Sequence, residues 1–424
     1  MKIHTLIIGT LMASTLAIFA EDITDQKITA DKTIEEDSSW TAENQEIINS
    51  AILTVTNGAT LTVNTGPMNA QNNSKIVVDA GATFNYTASN DFRLKNFASV
   101  DVSGTFKVGG TFKLSEVNNN FDQGSTLVVR SGAYFENGSA FELQSVSTAT
   151  FEHGSTSVHK ADFKVNASRD NQQANTVANL YGTTTISGAF RIGDVNNTSV
   201  TSNATMNIAQ AANVTANELN LANNKTGINS TLNISGIGTT VRINNNVNLG
   251  DDGGKSTVIL DITNGANLNF SALNFVKPNS NINFNIAEFD GADTAMVTAR
   301  GSFNVAGGKI NLLIDDLLSS AGATPGDEVT FSLIELDGGS FVGSNAAALA
   351  AMSDLDFATK MQNAFAFSFA GNDNWEAADY SNFKFENNTI VLKLIAAEAI
   401  PEPSTYAAIF GALALAFVAY RRRK

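Results

Sequence analysis

Between residues 50 and 310 apolar and polar positions alternate with a period of two, in short runs separated by Gly, Asn and Thr. Leu232-Asn233-Ile234 is one such run; in Leu127-Val128-Val129 the first and third residues are the equivalent ones. Successive side chains of a strand point to opposite faces, so this period predicts strands with one face buried. The runs also repeat. VTNGATL (55–61), VDAGATF (78–84), VRSGAYF (129–135), IAQAANV (208–214) and ITNGANL (262–268) share one pattern. It is a β-branched residue, two polar or small ones, Gly or Ala, Ala, any residue and a large apolar one. A second element starts at 92 (FRL), 112 (FKL), 141 (FEL), 163 (FKV), 190 (FRI), 219 (LNL), 247 (VNL) and 273 (LNF), with spacings of 20, 29, 22, 27, 29, 28 and 26 residues. Self-similarity at such a period marks a solenoid, propeller or array.

Local chemistry selects among these. LNLANN (219–224) imitates a leucine-rich repeat, but the other copies continue with SEV, QSV, NAS or GDV, and the units are rich in Thr, Asn, Gly and Val instead of helix formers. A propeller blade needs four antiparallel strands and about forty residues, more than these units supply. The expected fold is therefore all-β, a single-stranded parallel β-helix, with one unit per coil and like positions stacked at about 4.8 Å. Eight or more coils would make a rod of roughly 40 Å or longer. Asn and Gly fall at corners, where left-handed dihedrals favour them. A right-handed coil is expected from the handedness of parallel crossovers. The body, residues 51–310, resembles passenger-type repeats of bacterial surface and autotransporter-associated proteins, without a C-terminal stretch that would supply a membrane β-barrel.

Residues 311–399 break the repeat and predict a small mixed cap. GGKINLLID, VTFSLIEL and IVLKLI read as strands, and SNAAALAAMSDLDFATKMQNAF as one or two helices with Asp354 placed to cap the second. Such a segment would cover the open end of a solenoid, whose unpaired edge otherwise recruits another chain. Residues 21–50, acidic and containing Trp40, are expected to cap or precede the other end.

The two ends of the sequence have a different pattern. Residues 1–20 place Lys2 before an apolar stretch and small Ala17 and Ala20 before a cleavage point, as a secretory signal peptide does. Residues 400–424 read IPEPSTYAAIFGALALAFVAYRRRK. Pro401 and Pro403 stop any helix upstream, and Ser404–Tyr420 is an uncharged stretch of about 25 Å as a helix, flanked by Tyr406 and Tyr420 at interfacial positions. Arg421, Arg422, Arg423 and Lys424 would remain on the cytoplasmic side of a transmembrane helix. With Pro401, Glu402, Pro403 and Ser404 matching its motif, this order of motif, short apolar helix and basic cluster resembles the PEP-CTERM sorting signal of Gram-negative bacteria. The resemblance implies recognition and cleavage by an exosortase, a membrane-embedded transpeptidase-like enzyme, after signal peptidase has acted at the other end. It also implies an inner-membrane intermediate and final residence at the cell surface or outside the cell, in bacteria that make exopolysaccharide.

Composition narrows the chemistry. The 424 residues carry a net charge of −15, and removing Lys2 and the four terminal bases leaves 21 bases against 41 acids, about −20. Nucleic acid, which needs a basic face, is excluded as an expected partner. With no cysteine, thiol chemistry and disulfides are excluded as well. Polysaccharide lyases and hydrolases built on β-helices use clustered carboxylates, so Asp251 with Asp252 and Asp315 with Asp316 are the pairs to weigh. Neighbours on a strand diverge, and both pairs read as solvated surface. GGKST (253–257) lacks the first glycine of a phosphate loop, since Leu249 stands there, and reads as a turn. His153 and His159 read as surface residues at coil corners, without a carboxylate at ligand spacing. Asn-x-Ser/Thr triplets such as those at Asn203 and Asn233 are products of Asn-rich composition. No catalytic residue, cofactor or metal is expected. The function expected is a structural or adhesive surface or matrix protein linked to exopolysaccharide or biofilm. The alternatives are a carbohydrate-binding surface protein and, behind it, a β-helix lyase or hydrolase.

Overall fold

The computed structural model describes residues 22–114, 124–166, 175–193, 202–222, 228–250, 256–263, 265–275, 280–286, 294–305, 308–314, 324–369, 379–396, 410–413 and 421. A β-solenoid runs through them. Each coil begins with a strand of a thirteen-stranded, wholly parallel sheet that extends from Lys32–Ile34 to Phe365–Phe369. At about 4.8 Å per strand that sheet is roughly 60 Å long. After a corner, the chain enters the second sheet by one segment and leaves it by another, such as Thr60–Val63 followed by Met68–Gln71. From Thr183–Ile192 to Asn267–Phe275 the two segments fuse into one long strand with a register shift, between Ile186 and Ala189 in the first case, and they separate again at Val297–Ala299 and Ser302–Asn304.

The alternation in the sequence corresponds to this geometry residue by residue. Val55, Val78, Val102, Val129, Phe151, Leu180, Ile208, Ile234 and Ile262 stack in register as one inward column. The second element makes another, from Phe92 through Phe112, Phe141 and Phe163 to Phe190, then Leu219, Val247 and Leu273. Rings in it sit close, with Phe141 and Phe163 centroids 4.6 Å apart, and Phe84 stacks on Phe106 at 4.7 Å in a neighbouring column. Every one of these side chains is buried, in a single core. A buried Phe is typically worth about 3–5 kcal/mol against Ala, so the columns dominate the stability.

The corners need left-handed backbone. Gly81, Gly132, Gly154 and Gly265 have φ between 77° and 86°, and in the copy IAQAANV the same corner is taken by Gln210 and Ala211 at φ of 60° and 58°. An L-residue there is strained by about 1–2 kcal/mol, which the pairing on both sides enforces.

Parallel pairing extends beyond 51–310 in both directions. Lys27–Ile28, Lys32–Ile34 and Ser38–Trp40 pair in parallel with the following coil, so residues 27–47 are themselves coiled. Trp40 is buried beneath that coil and donates its Nε1–H to the Asp25 carbonyl at 2.8 Å. At the other end Ile310–Ile314 and Phe365–Phe369 continue the first sheet, and Glu328–Leu336 the second. Antiparallel strands Thr389–Ile395 and Phe383–Glu386 then close the second sheet beside two helices, α1 (Ala346–Ala350) and α2 (Asp354–Ala364). Asp354 does not cap α2: it is the first helical residue, and Ser353, extended at ψ 155°, accepts from the Asp356 N–H in its place. Among the described residues no helix is long and apolar enough to cross a membrane. The expected transmembrane span falls almost wholly outside them; within it residues 410–413 are helical and exposed.

Candidate functional site

Three polar arrangements are built on this scaffold, each from side chains that the stacking of coils brings together. Across the first half of the solenoid the outer faces carry ion pairs, most of them between coils. Asp91 receives Arg93 at 2.7 Å and Lys113 at 2.8 Å. Asp101 receives Lys75 at 3.3 Å and Arg130 at 2.9 Å, and Arg130 continues to Glu152 at 2.8 Å. Arg130 hydrogen bonding, reinforced by Lys75, holds the Asp101 carboxyl below the usual range although partial burial opposes it. At Asp91 burial is the largest single influence and raises the carboxyl, yet the combined pull of Lys113 and Arg93 leaves it lowered too. Lys160 with Glu136 and Arg191 with Asp162 extend the pattern. Alternating signs on a regular face tie each coil to its neighbour and leave no free basic or acidic cleft among these residues.

Further along, amides replace charges. The middle residues of Ala178-Asn179-Leu180, Met206-Asn207-Ile208, Leu232-Asn233-Ile234, Leu260-Asp261-Ile262, Ile282-Asn283-Phe284 and Ile310-Asn311-Leu312 stack on the outer face of the thirteen-stranded sheet. Asn207 Nδ2 donates to Asn179 Oδ1 at 2.8 Å, Asn233 to Asn207 at 2.8 Å, and Asn311 to Asn283 at 2.9 Å. Asn283 donates to Asp261. A shorter parallel row joins Asn229, Asn203 and Asn175 at 2.9 and 2.7 Å. This ladder was not anticipated from the sequence, although the apolar-Asn-apolar triplets spell it out.

The third arrangement is inside. Asn137 and His159 occupy an inward column, paired in register, and both are fully buried. His159 Nδ1 lies 2.6 Å from Asn137 Oδ1, while Asn137 Nδ2 donates to the Ser139 carbonyl at 2.6 Å. An amide oxygen only accepts, so Nδ1 carries the proton and Nε2 is the bare nitrogen, for which the structure gives no partner. Phe135, Phe141, Phe151 and Phe163 surround the ring at 4.7–5.8 Å. Beside them Ser157 donates to Thr184 at 2.9 Å, two more buried hydroxyls on the column that includes Phe84, Phe106 and Phe135. Burial drives the His159 pKa down to about 3, so the ring is neutral at ordinary pH.

The residues singled out in the sequence fall as follows. His153 is exposed at a corner, as expected, its Nδ1 2.9 Å from the Gln210 carbonyl. His159 is not on the surface, because its coil takes its phase from Phe135 and Asn137 beneath it and turns Ser157 and His159 inward. Asp251, Asp252, Asp315, Asp316 and Gly253 to Lys255 lie outside the described residues, as do Pro401, Glu402, Pro403, Ser404, Arg422, Arg423 and Lys424. Arg421 is exposed. Among the described residues no three His, Asp or Glu side chains are grouped to hold a metal ion. A cavity of about 260 Å³ opens between α1, α2 and Phe383–Glu386, where Met352 and Phe385 meet Asp354, Lys384 and Glu386. It combines apolar residues with side chains of both charge signs. No family model, curated protein or solved structure matches the chain.

Proposed function

We propose that the protein is an exported, exosortase-sorted surface or extracellular-matrix protein whose solenoid serves a structural or adhesive role in an exopolysaccharide layer. The observation that carries this reading is the tail, in which Pro401-Glu402-Pro403-Ser404, an uncharged helix-length stretch and Arg421-Arg422-Arg423-Lys424 follow in order. Signal peptidase would remove residues 1–20, and a transmembrane helix within 404–420 would hold the body outside the inner membrane until the exosortase cuts near the motif. A right-handed coil, the usual hand of parallel crossovers, belongs to the same reading.

The scaffold is compatible with such a role. Ion pairs and amide rows link neighbouring coils on its outer faces, which suits a durable rod displayed in a polysaccharide matrix. A body charge of about −20 keeps such rods soluble and apart until they are anchored.

Mass spectrometry of the protein from culture and envelope fractions of an exosortase-bearing host tests the reading. Peptides from Ala407 onward should be absent from the surface form and present when the exosortase gene is deleted. Surface protein that keeps its RRRK terminus would overturn it.

A further inference from the structure

The amide ladder has a direction, and one member cannot follow it as a carboxylate. In each Asn-to-Asn step the Nδ2 of the later coil donates to the Oδ1 of the earlier one, from Asn207 to Asn179, Asn233 to Asn207 and Asn311 to Asn283. Asn179 ends the row by donating to Thr150 Oγ1 at 3.2 Å. Asp261 pairs in register with Asn233 before it and Asn283 after it, and it accepts from Asn283. To keep the direction, Asp261 must donate to Asn233 Oδ1. An ionised carboxylate has no proton to give, and would set acceptor against acceptor between two coils.

We propose that Asp261 is the proton-carrying rung of this ladder: with its carboxyl protonated the seam is continuous from Asn311 to Thr150, and release of that proton to water opens it between the coils of Asn233 and Asp261. The bond in question is Oδ2–H of Asp261 to Oδ1 of Asn233, and nothing else is exchanged.

The surroundings favour the neutral form. Asp261 faces Thr231 and Asn233 on one neighbouring strand, Asn281, Asn283 and Asn285 on the other, and Ile259 and Thr263 on its own. None of these titrates, and no cation lies among them to hold a negative charge. Partial burial raises the carboxyl above the usual range by more than the hydrogen bond from Asn283 lowers it. The sign follows: a carboxyl raised in the folded state contributes stability that is complete at acid pH and lost as pH rises through the folded value.

Asp261→Asn supplies the missing donor permanently. Urea unfolding of the full chain and of this variant, from pH 4.5 to 8, reads the effect as a difference, so that the titration of all other acids cancels. Their midpoints should lie closest at pH 4.5 and diverge further above it, the variant being the more resistant at pH 8. Each unit by which the folded carboxyl titrates above the unfolded one changes the folded-to-unfolded ratio tenfold. Carboxyl carbon NMR, with the Asp261 signal identified by its loss in the variant, should show titration above the ordinary aspartate range. A variant less resistant than the parent at pH 8, with the Asp261 signal titrating below that range, would overturn the proposal. The amides of Asn179, Asn207 and Asn233 would then point the other way, with the carboxylate accepting from both sides. A midpoint difference independent of pH would overturn it equally.

Discussion

At the scale of single residues, His159 and Asn137 are polar exceptions inside an aromatic core. The His159 ring is fully buried, its Nδ1–H is used by Asn137, and burial lowers its pKa from 6.5 to about 3. For a base that is depressed in the folded state, stability is complete above the unfolded value and is lost as pH falls toward the folded one. Across that window the loss approaches about 4–5 kcal/mol, at roughly 1.4 kcal/mol per unit. His159→Leu should therefore flatten the unfolding midpoint between pH 3 and 6.5 relative to the parent. At pH 8 it should cost about 1–3 kcal/mol, because Asn137 Oδ1 is left unpaired in the core. Urea titrations of both proteins at several pH values check this, and equal slopes would show that His159 does not titrate in the core. His159 and Asp261 thus act in opposite senses, the first weakening the folded state on acidification and the second strengthening it.

The coil is the element that gives these residues their places. Leu232 and Ile234 are buried and Asn233 lies outside between them, as the alternation predicts. Ile234→Asp buries an unpaired carboxylate between Ile208 and Ile262 and should cost several kcal/mol, roughly 3 or more. Simple alternation makes Asn233→Asp silent, but the ladder does not. That change removes the donor to Asn207 and sets a second carboxyl beside Asp261, so at pH 8 it should cost about 1–2 kcal/mol and be relieved by acid. Urea midpoints of the two variants at pH 5 and 8 separate these effects; a silent Asn233→Asp at pH 8 would mean that the ladder carries no stability. Strand faces, corners and the aromatic columns were legible because each depends on a pattern local to one coil: period two, Gly or its substitute, and Phe at a fixed offset. His159 was not. In Thr156–His159 the only apolar residue, Val158, faces outward, and the phase is imposed by the coils on either side. The helix boundary at Ser353 was missed by one residue, since Ser and Asp are both good caps and only backbone dihedrals decide between them.

Along the whole molecule the cross-links change character, from ion pairs between residues 75 and 191 to amide hydrogen bonds between residues 175 and 311. A solenoid contacts itself mainly between neighbouring coils, so each half should respond to solvent largely by itself. Exposed ion pairs are worth about 0–1 kcal/mol each and are screened over about 10 Å at 0.1 M salt, whereas neutral amide ladders are hardly affected. Salt also relieves the mutual repulsion of a chain with net charge −15, which stabilises every coil and would mask the loss in any global measurement. The difference between the halves escapes that mask. Hydrogen exchange in low salt and in 1 M sodium chloride should show protection of Ser99–Val102 and Thr126–Val129, beside Asp101 and Arg130, falling relative to Ser202–Ile208 and Ile228–Ile234. An equal change in both halves would mean that the ion pairs add nothing to coil stacking. The reverse ordering would place the salt-sensitive cross-links in the amide half, and the outer charges of the first coils would then be free to serve contacts with other molecules.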